Sequence, residues 1–207
     1  LGRFTTNDRF AEKYYSMSLY QYGANSPVGN IDVNGDSIII KPNANGIIDQ
    51  IKVLFGYDTK FQKDVKADLF QLKQDDKKVA DIIGKLEESK NIHYITMPKK
   101  GEYNSTGFNA DKVKKNISQG SEIYYNPYNR RRGRNDSDMR TPRIGLAHEL
   151  QHSFDVDKKV ATYERTKNGI LLMDIRAINT ENRIRKVIGE PKRTMYGTQK
   201  VPKELLE

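Results

Sequence analysis

The feature that most constrains the fold is the stretch RIGLAHELQHSFD at residues 143–155. It contains His148, Glu149 and His152 in the pattern H-E-x-x-H. A spacing of four residues places both imidazoles on one face of an α-helix, about one turn apart, so the pattern predicts a helix here. The residues between and around the histidines are apolar or small, which indicates that this helix is buried against the rest of the domain.

This pair of histidines has the chemistry of a zinc site. Each imidazole can give one nitrogen to a tetrahedral zinc ion, and Glu149 points toward the same cleft. There it can take a proton from an activated water and pass it to a leaving amine. The alternative is a chance match on a surface helix, but the chain has only three histidines and two of them lie in this pattern. We expect the third, His93, to be a packing residue on a strand.

Composition limits the other possibilities. The chain has 207 residues, of which 36% are hydrophobic and 30% charged, and it has no cysteine. This length suits one medium domain with a core, and disulfides and thiolate zinc ligands are excluded. No apolar run is long enough to cross a bilayer. The first residues, LGRFTTNDRF, lack the layout of a signal peptide, so we expect any export to depend on another part of a longer parent chain.

Two histidines and a water leave one zinc position for a carboxylate. Asp155 lies three residues after His152, too close along the same helix to complete a tetrahedron, and is better placed to orient an imidazole N–H. On the last predicted helix, Asp174, Ala177 and Glu181 share one face, and the small alanine permits a close approach. Either carboxylate can then reach the metal; the alternative is that one or both are solvated helix charges.

The chain divides at about residue 36. Residues 1–36 are rich in turn-forming residues and read as a loop-like appendage, whereas residues 37–207 alternate between strand and helix patterns. The patterns predict a hairpin from 37–41 and 49–55, strands at 93–97 and 121–127, two helices after Asp58-Thr59, the histidine helix, and a last helix ended by Gly189 and Pro191. The fold class is therefore predicted to be α+β.

The formal net charge is +9, with a local maximum between Arg130 and Arg134. Clustered guanidiniums can neutralise phosphates or dock an acidic protein. The run is flanked by Asn, Gly, Asp and Ser and has no interleaved aromatic residues, which disfavours nucleic acid as a partner.

The sequence IGLAHELQHSFD … DIRAINTENRIRKVIGEPKRTMYG resembles the C-terminal part of the NleD-type effector zinc metallopeptidases. Related domains form toxin tips on Rhs-repeat polymorphic toxins. In that family H-E-x-x-H is followed by E-x-x-A-x-x-x-E-N-x-x-R and then by R-T-x-Y. The matching residues after the histidines are Ala177, Glu181, Asn182, Arg185, Arg193, Thr194 and Tyr196. Asp174 stands where the family pattern has glutamate.

The resemblance implies a zincin-like α+β metallopeptidase domain. It favours Asp174 over Glu181 as the third zinc ligand, because the first acidic residue of such a helix is the ligand in other glutamate-ligated zinc peptidases. Tyr196 and Arg193 follow the helix stop and can fold back to stabilise an oxyanion, or else be a packed tyrosine and a surface arginine. The strand at 121–127 is either a substrate-binding edge or an interior strand.

The N-terminal segment, GRFTTNDRFAEKYYSMSLYQYGANSPVGNIDVNG, is similar to the end of the Rhs-repeat core. Arg9 and Val33 replace two prolines of that pattern. The full D-P-x-G motif is therefore incomplete, which argues against an autocleavage that depends on it. The resemblance implies a small Rhs-core remnant at 1–36, attached to a shell-forming protein.

Together these observations predict a zinc-dependent endopeptidase toxin that hydrolyses peptide bonds of a target-cell protein. The resemblance implies secretion or delivery into a target cell by Rhs shell and secretion machinery, and a neutralising immunity protein, expected to be acidic given the charge of +9. The alternative is a non-catalytic binding or toxin module that engages nucleic acid or an acidic protein through the basic loop.

Overall fold

The computed structural model of the protein describes residues 37–44, 46–133 and 136–207. The described chain has an α+β fold, as predicted. Its α-helices are α1 (Ile47–Leu54), α2 (Lys60–Asp75), α3 (Lys77–Glu87), α4 (Ala110–Lys114), α5 (Pro142–Asp157) and α6 (Leu172–Ile188). Its strands are β1 (Ile38–Ile40), β2 (His93–Thr96), β3 (Ser105–Gly107), β4 (Ser121–Tyr124), β5 (Arg131–Gly133), β6 (Asp136–Met139), β7 (Met195–Tyr196) and β8 (Gln199–Lys200).

A mixed sheet of four strands forms one layer of the domain. Its order is β1-β2-β4-β3, with β1, β2 and β4 parallel and β3 antiparallel to β4. The alternating burial along β2 and β4 places Ile95 and Ile123 in the core, and Tyr125, directly after β4, is buried with them. The opposite face, with Glu122 and Tyr124, is only partly covered. Strands β5–β6 and β7–β8 form two small antiparallel pairs.

Helices α2 and α3 pack on the buried side of the sheet and begin at well-formed caps. Thr59 and Gln62 form a capping box, each side chain bonded to the other residue's backbone N–H. Asp76 caps α3 by accepting from the N–H groups of Lys78 and Val79. Each helix buries one apolar face in the core, and the prediction of two helices after Asp58-Thr59 is confirmed.

Helices α5 and α6 lie side by side and are buried on most of their surfaces. Proline at the first position of α5 fits the start of a helix, because its missing N–H has no partner there. Helix α6 ends at Gly189, whose φ of 74° is left-handed and favours glycine. Ala177 is fully buried, and the predicted small residue therefore lies where α6 is enclosed.

The predicted hairpin from 37–41 and 49–55 is wrong. Strand β1 forms, but it pairs in parallel with β2, while 47–54 is helix α1. The apolar residues Ile47, Ile48 and Leu54 of α1 are all exposed. A run of Ile, Val and Leu fits a short strand and a short helix equally well by composition, and here the helix forms.

Strand β4 is interior, so of the two alternatives for 121–127 the interior strand is correct. Strand β3 is the edge strand next to β4 in the described sheet, and it contains no apolar residue from which the sequence could predict a strand. No helix in the described ranges has the length and apolar character needed to span a bilayer. The predicted Rhs-core remnant at 1–36 and Arg134 of the basic run lie outside the described residues.

Candidate active site

The histidine pair of α5 faces a cleft of about 350 Å³. The imidazoles of His148 and His152 lie edge to face, with ring centroids 5.0 Å apart, as the spacing of one helical turn predicts. Burial, together with the nearby His148 and Arg176, lowers the pKa of His152 to about 3. The ring is therefore neutral at pH 7, which is the form that binds a metal.

Glu149 reaches the same cleft and contacts the edge strand. Thr106 on β3 donates a hydrogen bond from Oγ1 to Glu149 Oε2 (2.8 Å) and lies 3.1 Å from the Glu149 carbonyl oxygen. Burial raises the pKa of the Glu149 carboxyl, against the opposing effects of His148, Thr106 and Arg140. A carboxylate that is held in place and made more basic is suited to accept a proton.

Asp174, at the start of α6, faces the second histidine across the cleft. Its Oδ1 is 3.6 Å from His152 Nε2. Two atoms bound to one tetrahedral zinc lie about 3.4 Å apart, given bond lengths of about 2.0–2.2 Å. Burial raises the pKa of Asp174, although His148 and Tyr196 act to lower it.

Glu181, two turns further along α6, is fully buried and its oxygens are already occupied. Arg185 donates to Oε1 from Nε (2.9 Å) and Nη2 (2.8 Å), and Arg193 donates to Oε2 from Nη1 (2.7 Å). The Nη1 of Arg140 lies 3.5 Å from Oε2. Burial acts to raise the pKa of Glu181, but His148, Arg193 and Arg140 hold it well below its ordinary value.

Glu181 also stands behind the first histidine. His148 Nδ1 lies 3.3 Å from Glu181 Oε2 and is buried, with no hydrogen bond of good geometry to any described residue. A metal-bound histidine commonly has its second ring nitrogen next to a carboxylate, which fixes the ring. Of the two ring nitrogens of His148, this arrangement leaves Nε2 for the cleft.

The residues fit a zinc ion by their chemistry. Two neutral imidazoles and one carboxylate, Asp174, are a ligand set that zinc accepts, with a fourth position left for water. Among residues 37–44, 46–133 and 136–207, no group of three His, Cys, Asp or Glu side chains already has the geometry of a complete metal site. The imidazole Nδ1 atoms of His148 and His152 are both buried without hydrogen bonds among the described residues, and that of His148 lies beside Glu181, so the histidine pair has hydrogen-bonding capacity that the protein itself leaves unused.

The segment after α6 folds back over the cleft. The Asn182 side chain holds Arg193 by both backbone groups, donating to its carbonyl (3.0 Å) and accepting from its N–H (2.7 Å). Arg193 and Tyr196 therefore line the cleft, with the guanidinium carbon 5.4 Å from the phenol ring centroid. Because Arg193 also bonds Glu181 and the Met195 carbonyl, its guanidinium is anchored in place.

Two residues have partners other than a metal site. Asp155 accepts from Gln151 (2.8 Å) and from Arg176 (2.9 Å), and its orientation of an imidazole stays a prediction. His93 is fully buried in β2, with Nδ1 2.9 Å from the Ser121 hydroxyl, and lies in the core of the sheet as a packing residue should. Neither Asp155 nor His93 lines the cleft.

Thr106 and Arg140 are among the cleft residues that the sequence patterns did not single out. Thr106 belongs to a strand with no apolar alternation, and Arg140 stands among many other basic residues, so neither has a local pattern that singles it out. Arg140 immediately precedes Thr141, the N-cap of the histidine helix, and only that position points to the site.

Comparison with known proteins adds no assignment. No protein-family model, curated protein or solved structure matches this chain. The resemblance to NleD-type metallopeptidases and to the Rhs core therefore remains a prediction from the motifs.

Proposed function

We propose that the protein is a zinc-dependent endopeptidase of zincin-like fold. The observation that carries the proposal is the meeting of two helices at one cleft. Helix α5 presents His148, Glu149 and His152, and α6 presents Asp174 with its Oδ1 3.6 Å from His152 Nε2. His148, His152 and Asp174 are the proposed ligands, and Glu181 is proposed to orient His148 instead of binding the metal.

Zinc held at this position would activate water and polarise a peptide carbonyl. The other steps belong to side chains of the protein. Glu149, hydrogen-bonded to Thr106, accepts the proton of the attacking water and delivers it to the leaving amine. Tyr196 lies in the cleft beside Asp174, and burial raises the pKa of its phenol. The phenol therefore keeps its proton at neutral pH and can donate it to a developing oxyanion.

Strand β3 is the proposed binding edge for the peptide. It is the terminal strand of the described sheet, it borders the cleft through Ser105 and Thr106, and Thr106 contacts the proposed base. An extended peptide paired with β3 would therefore pass over Glu149, with backbone hydrogen bonds that do not depend on its sequence.

The biological setting is proposed from the motif resemblance alone. It comprises a toxin delivered into a target cell by an Rhs-type shell and its secretion machinery, a protein of that cell as substrate, and an acidic immunity protein as inhibitor. The rival binding module depends on the run from Arg130 to Arg134, of which only Arg130 has a described side chain, exposed to solvent.

The deciding experiment compares wild type with Glu149→Gln, an isosteric change that removes only the base. Zinc content is measured by mass spectrometry, and cleavage is measured on a proteome-derived peptide library. We expect about one zinc per chain in both proteins and a loss of cleavage of about 10²–10⁴-fold in the variant.

The control is His148→Ala, which we expect to lose both zinc and cleavage. Wild-type protein that takes up no zinc, or that cleaves as well after Glu149→Gln, would contradict the proposal. The binding module would then be tested through the salt dependence of nucleic-acid binding, which should fall when Arg130 to Arg134 are replaced.

A further inference from the structure

Arg140 is a buried cation in the wall of the cleft with unused hydrogen-bonding capacity. Its side chain is 3% exposed, yet among the described residues its Nε has no hydrogen-bond partner and its ion pair with Glu181 is long at 3.5 Å. A guanidinium has five N–H donors in a planar fork. A buried group of this kind is costly to leave unpaired and is expected to meet an anionic partner.

The fold makes a specific space for this guanidinium. Gly145 lies inside α5, one turn before Glu149, and a Cβ at this position would fall 2.6 Å from Arg140 Nη2 and 2.6 Å from Asn104 Nδ2. Both side chains therefore lie against bare backbone at the same point of the helix. Glycine inside a helix is destabilising by about 1 kcal/mol relative to alanine, so its presence here is explained by this close approach.

The charge around the cleft also favours an anion once metal is present. Three arginines and four carboxylates lie in the cleft wall and around Glu181, namely Arg140, Arg185, Arg193, Glu149, Asp174, Glu181 and Glu190. The net charge of this group is −1, and a bound divalent zinc ion would change it to +1. The guanidinium of Arg140 is the cation of this group with the fewest hydrogen bonds among described residues.

We propose that Arg140 forms a specificity site for a substrate carboxylate, carried by an Asp or Glu side chain within two residues of the scissile bond. The planar fork can bind the carboxylate with two parallel N–H···O bonds. Arg140 pairs with Glu181, which lies on the side of His148 away from the proposed metal position. Arg140 is therefore placed to bind a substrate side chain near the scissile bond and not the reacting carbonyl. This inference rests on the proposed peptidase function and adds the class of substrate.

The test profiles cleavage of a proteome-derived peptide library whose C-termini are amidated, so that chain-end carboxylates are absent. Cleaved peptides with an acidic residue near the cut are then resynthesised with Gln for Glu or Asn for Asp. For wild type we expect kcat/KM to fall about tenfold or more on this change in the peptide, as a charged hydrogen bond is lost. The acid-to-amide ratio is kcat/KM for the acidic peptide divided by kcat/KM for its amide counterpart. For Arg140→Gln we expect this ratio to approach one.

Gly145→Ala provides a second variant that keeps the charge. The added methyl displaces the guanidinium and the Asn104 amide, which are flexible side-chain ends, while the helix itself gains propensity. We expect unchanged zinc content and a lower ratio of kcat/KM for the acidic peptide to kcat/KM for its amide counterpart. Arg143→Gln is the matched control, because Arg143 pairs with Asp75 outside the cleft, and its ratio should equal that of wild type.

Cleavage without preference for acidic residues would overturn the inference while leaving the peptidase proposal intact. A preference that survives both Arg140→Gln and Gly145→Ala would overturn it as well, as would a carboxylate requirement that appears only with free C-termini. Wild-type protein that binds no zinc and cleaves nothing would remove the inference together with the proposed function.

Discussion

The first turn and the middle of helix α6 place similar carboxylates in opposite situations. Asp174, in the first turn, faces the cleft and has His152 Nε2 at 3.6 Å. Glu181, seven residues later on the same face, is enclosed by Arg185, Arg193 and Arg140. The difference lies in the neighbours, because both are acidic side chains on one stripe of one helix.

This contrast distinguishes a carboxylate suited to bind a metal from one that stabilises the fold. A carboxylate whose oxygens already accept charged hydrogen bonds has little left to offer a metal, whereas one that is buried without strong partners gains from a cation. The pKa of Glu181 is held well below its ordinary value, and the pKa of Asp174 is raised by burial. We therefore expect the protein's stability to depend on Glu181 and its zinc affinity to depend on Asp174.

Glu181→Ala should have the largest effect on stability. It leaves buried arginines without their shared carboxylate, and breaking a buried ion pair in this way costs about 3–5 kcal/mol. For a domain of this size we expect the unfolding temperature to fall by about 10 °C, measured by circular dichroism with zinc removed.

Glu190→Ala is the matched control, because Glu190 contacts the same Arg185 but is partly exposed. Its effect should be much smaller. If Glu181→Ala kept the wild-type unfolding temperature and lost zinc instead, the assignment of the two carboxylates would have to be exchanged.

Asp174→Ala should act on zinc and leave the fold intact. Removing even an outer partner of a metal ligand weakens binding about 10–100-fold, so we expect a loss of about 100-fold or more, measured by competition with a chromophoric chelator. Without zinc the variant should be at least as stable as wild type, because a desolvated carboxylate is removed. Asp174→Glu, which restores the residue of the family pattern, should retain zinc to within about tenfold of wild type.

Asn182→Ala tests whether the cleft wall depends on its attachment to α6. Loss of the two hydrogen bonds to the Arg193 backbone should destabilise the protein by about 1–3 kcal/mol and reduce peptide cleavage with zinc retained. Asn179→Ala is a close control, since Asn179 bonds the Leu205 carbonyl and the Glu207 N–H in the same manner. Similar destabilisation with cleavage lost in only Asn182→Ala is the expected result; equal cleavage by both variants would refute a role for the attachment.

A third buried carboxylate, Asp157, extends the comparison to a site without metal. Burial acts to raise its pKa, but His93, Asn91, Lys158 and Ser89 hold it well below its ordinary value. Its contribution to stability is therefore present above the unfolded-state pKa of about 3.9 and is lost as the pH falls further. Denaturant unfolding should show the stability difference between wild type and Asp157→Asn to be about 1–3 kcal/mol at pH 6 and smaller at pH 3. A difference that is the same at both values would contradict this account.

Sequence patterns predicted the elements with strong periodicity. Helices α2, α3, α5 and α6 were recognised from apolar spacing and caps, and the pairing of His148 with His152 in one cleft follows from helix geometry. These features depend on residues that are close together in the chain, so a short stretch of sequence is enough to predict them.

The features that were missed depend on residues far apart in the chain. The parallel pairing of β1 with β2 and the edge position of β3 are set by how the layers assemble. Helix α1 was mistaken for a strand because a short run of Ile, Val and Leu fits a strand and a helix equally well. In the same way, nothing local distinguishes Glu181 from Asp174. Only the arrival of Arg140 and Arg193 from other segments separates the two roles.

The strand order has a practical consequence for fusions. The described fold begins with β1, and the cleft lies beside β3, three strand spacings away at the opposite edge of the sheet. That separation is about 14 Å at the usual spacing of strands. A tag, tether or fluorescent reporter joined directly to Ser37 would therefore enter the described fold at the edge of the sheet opposite β3 and the cleft.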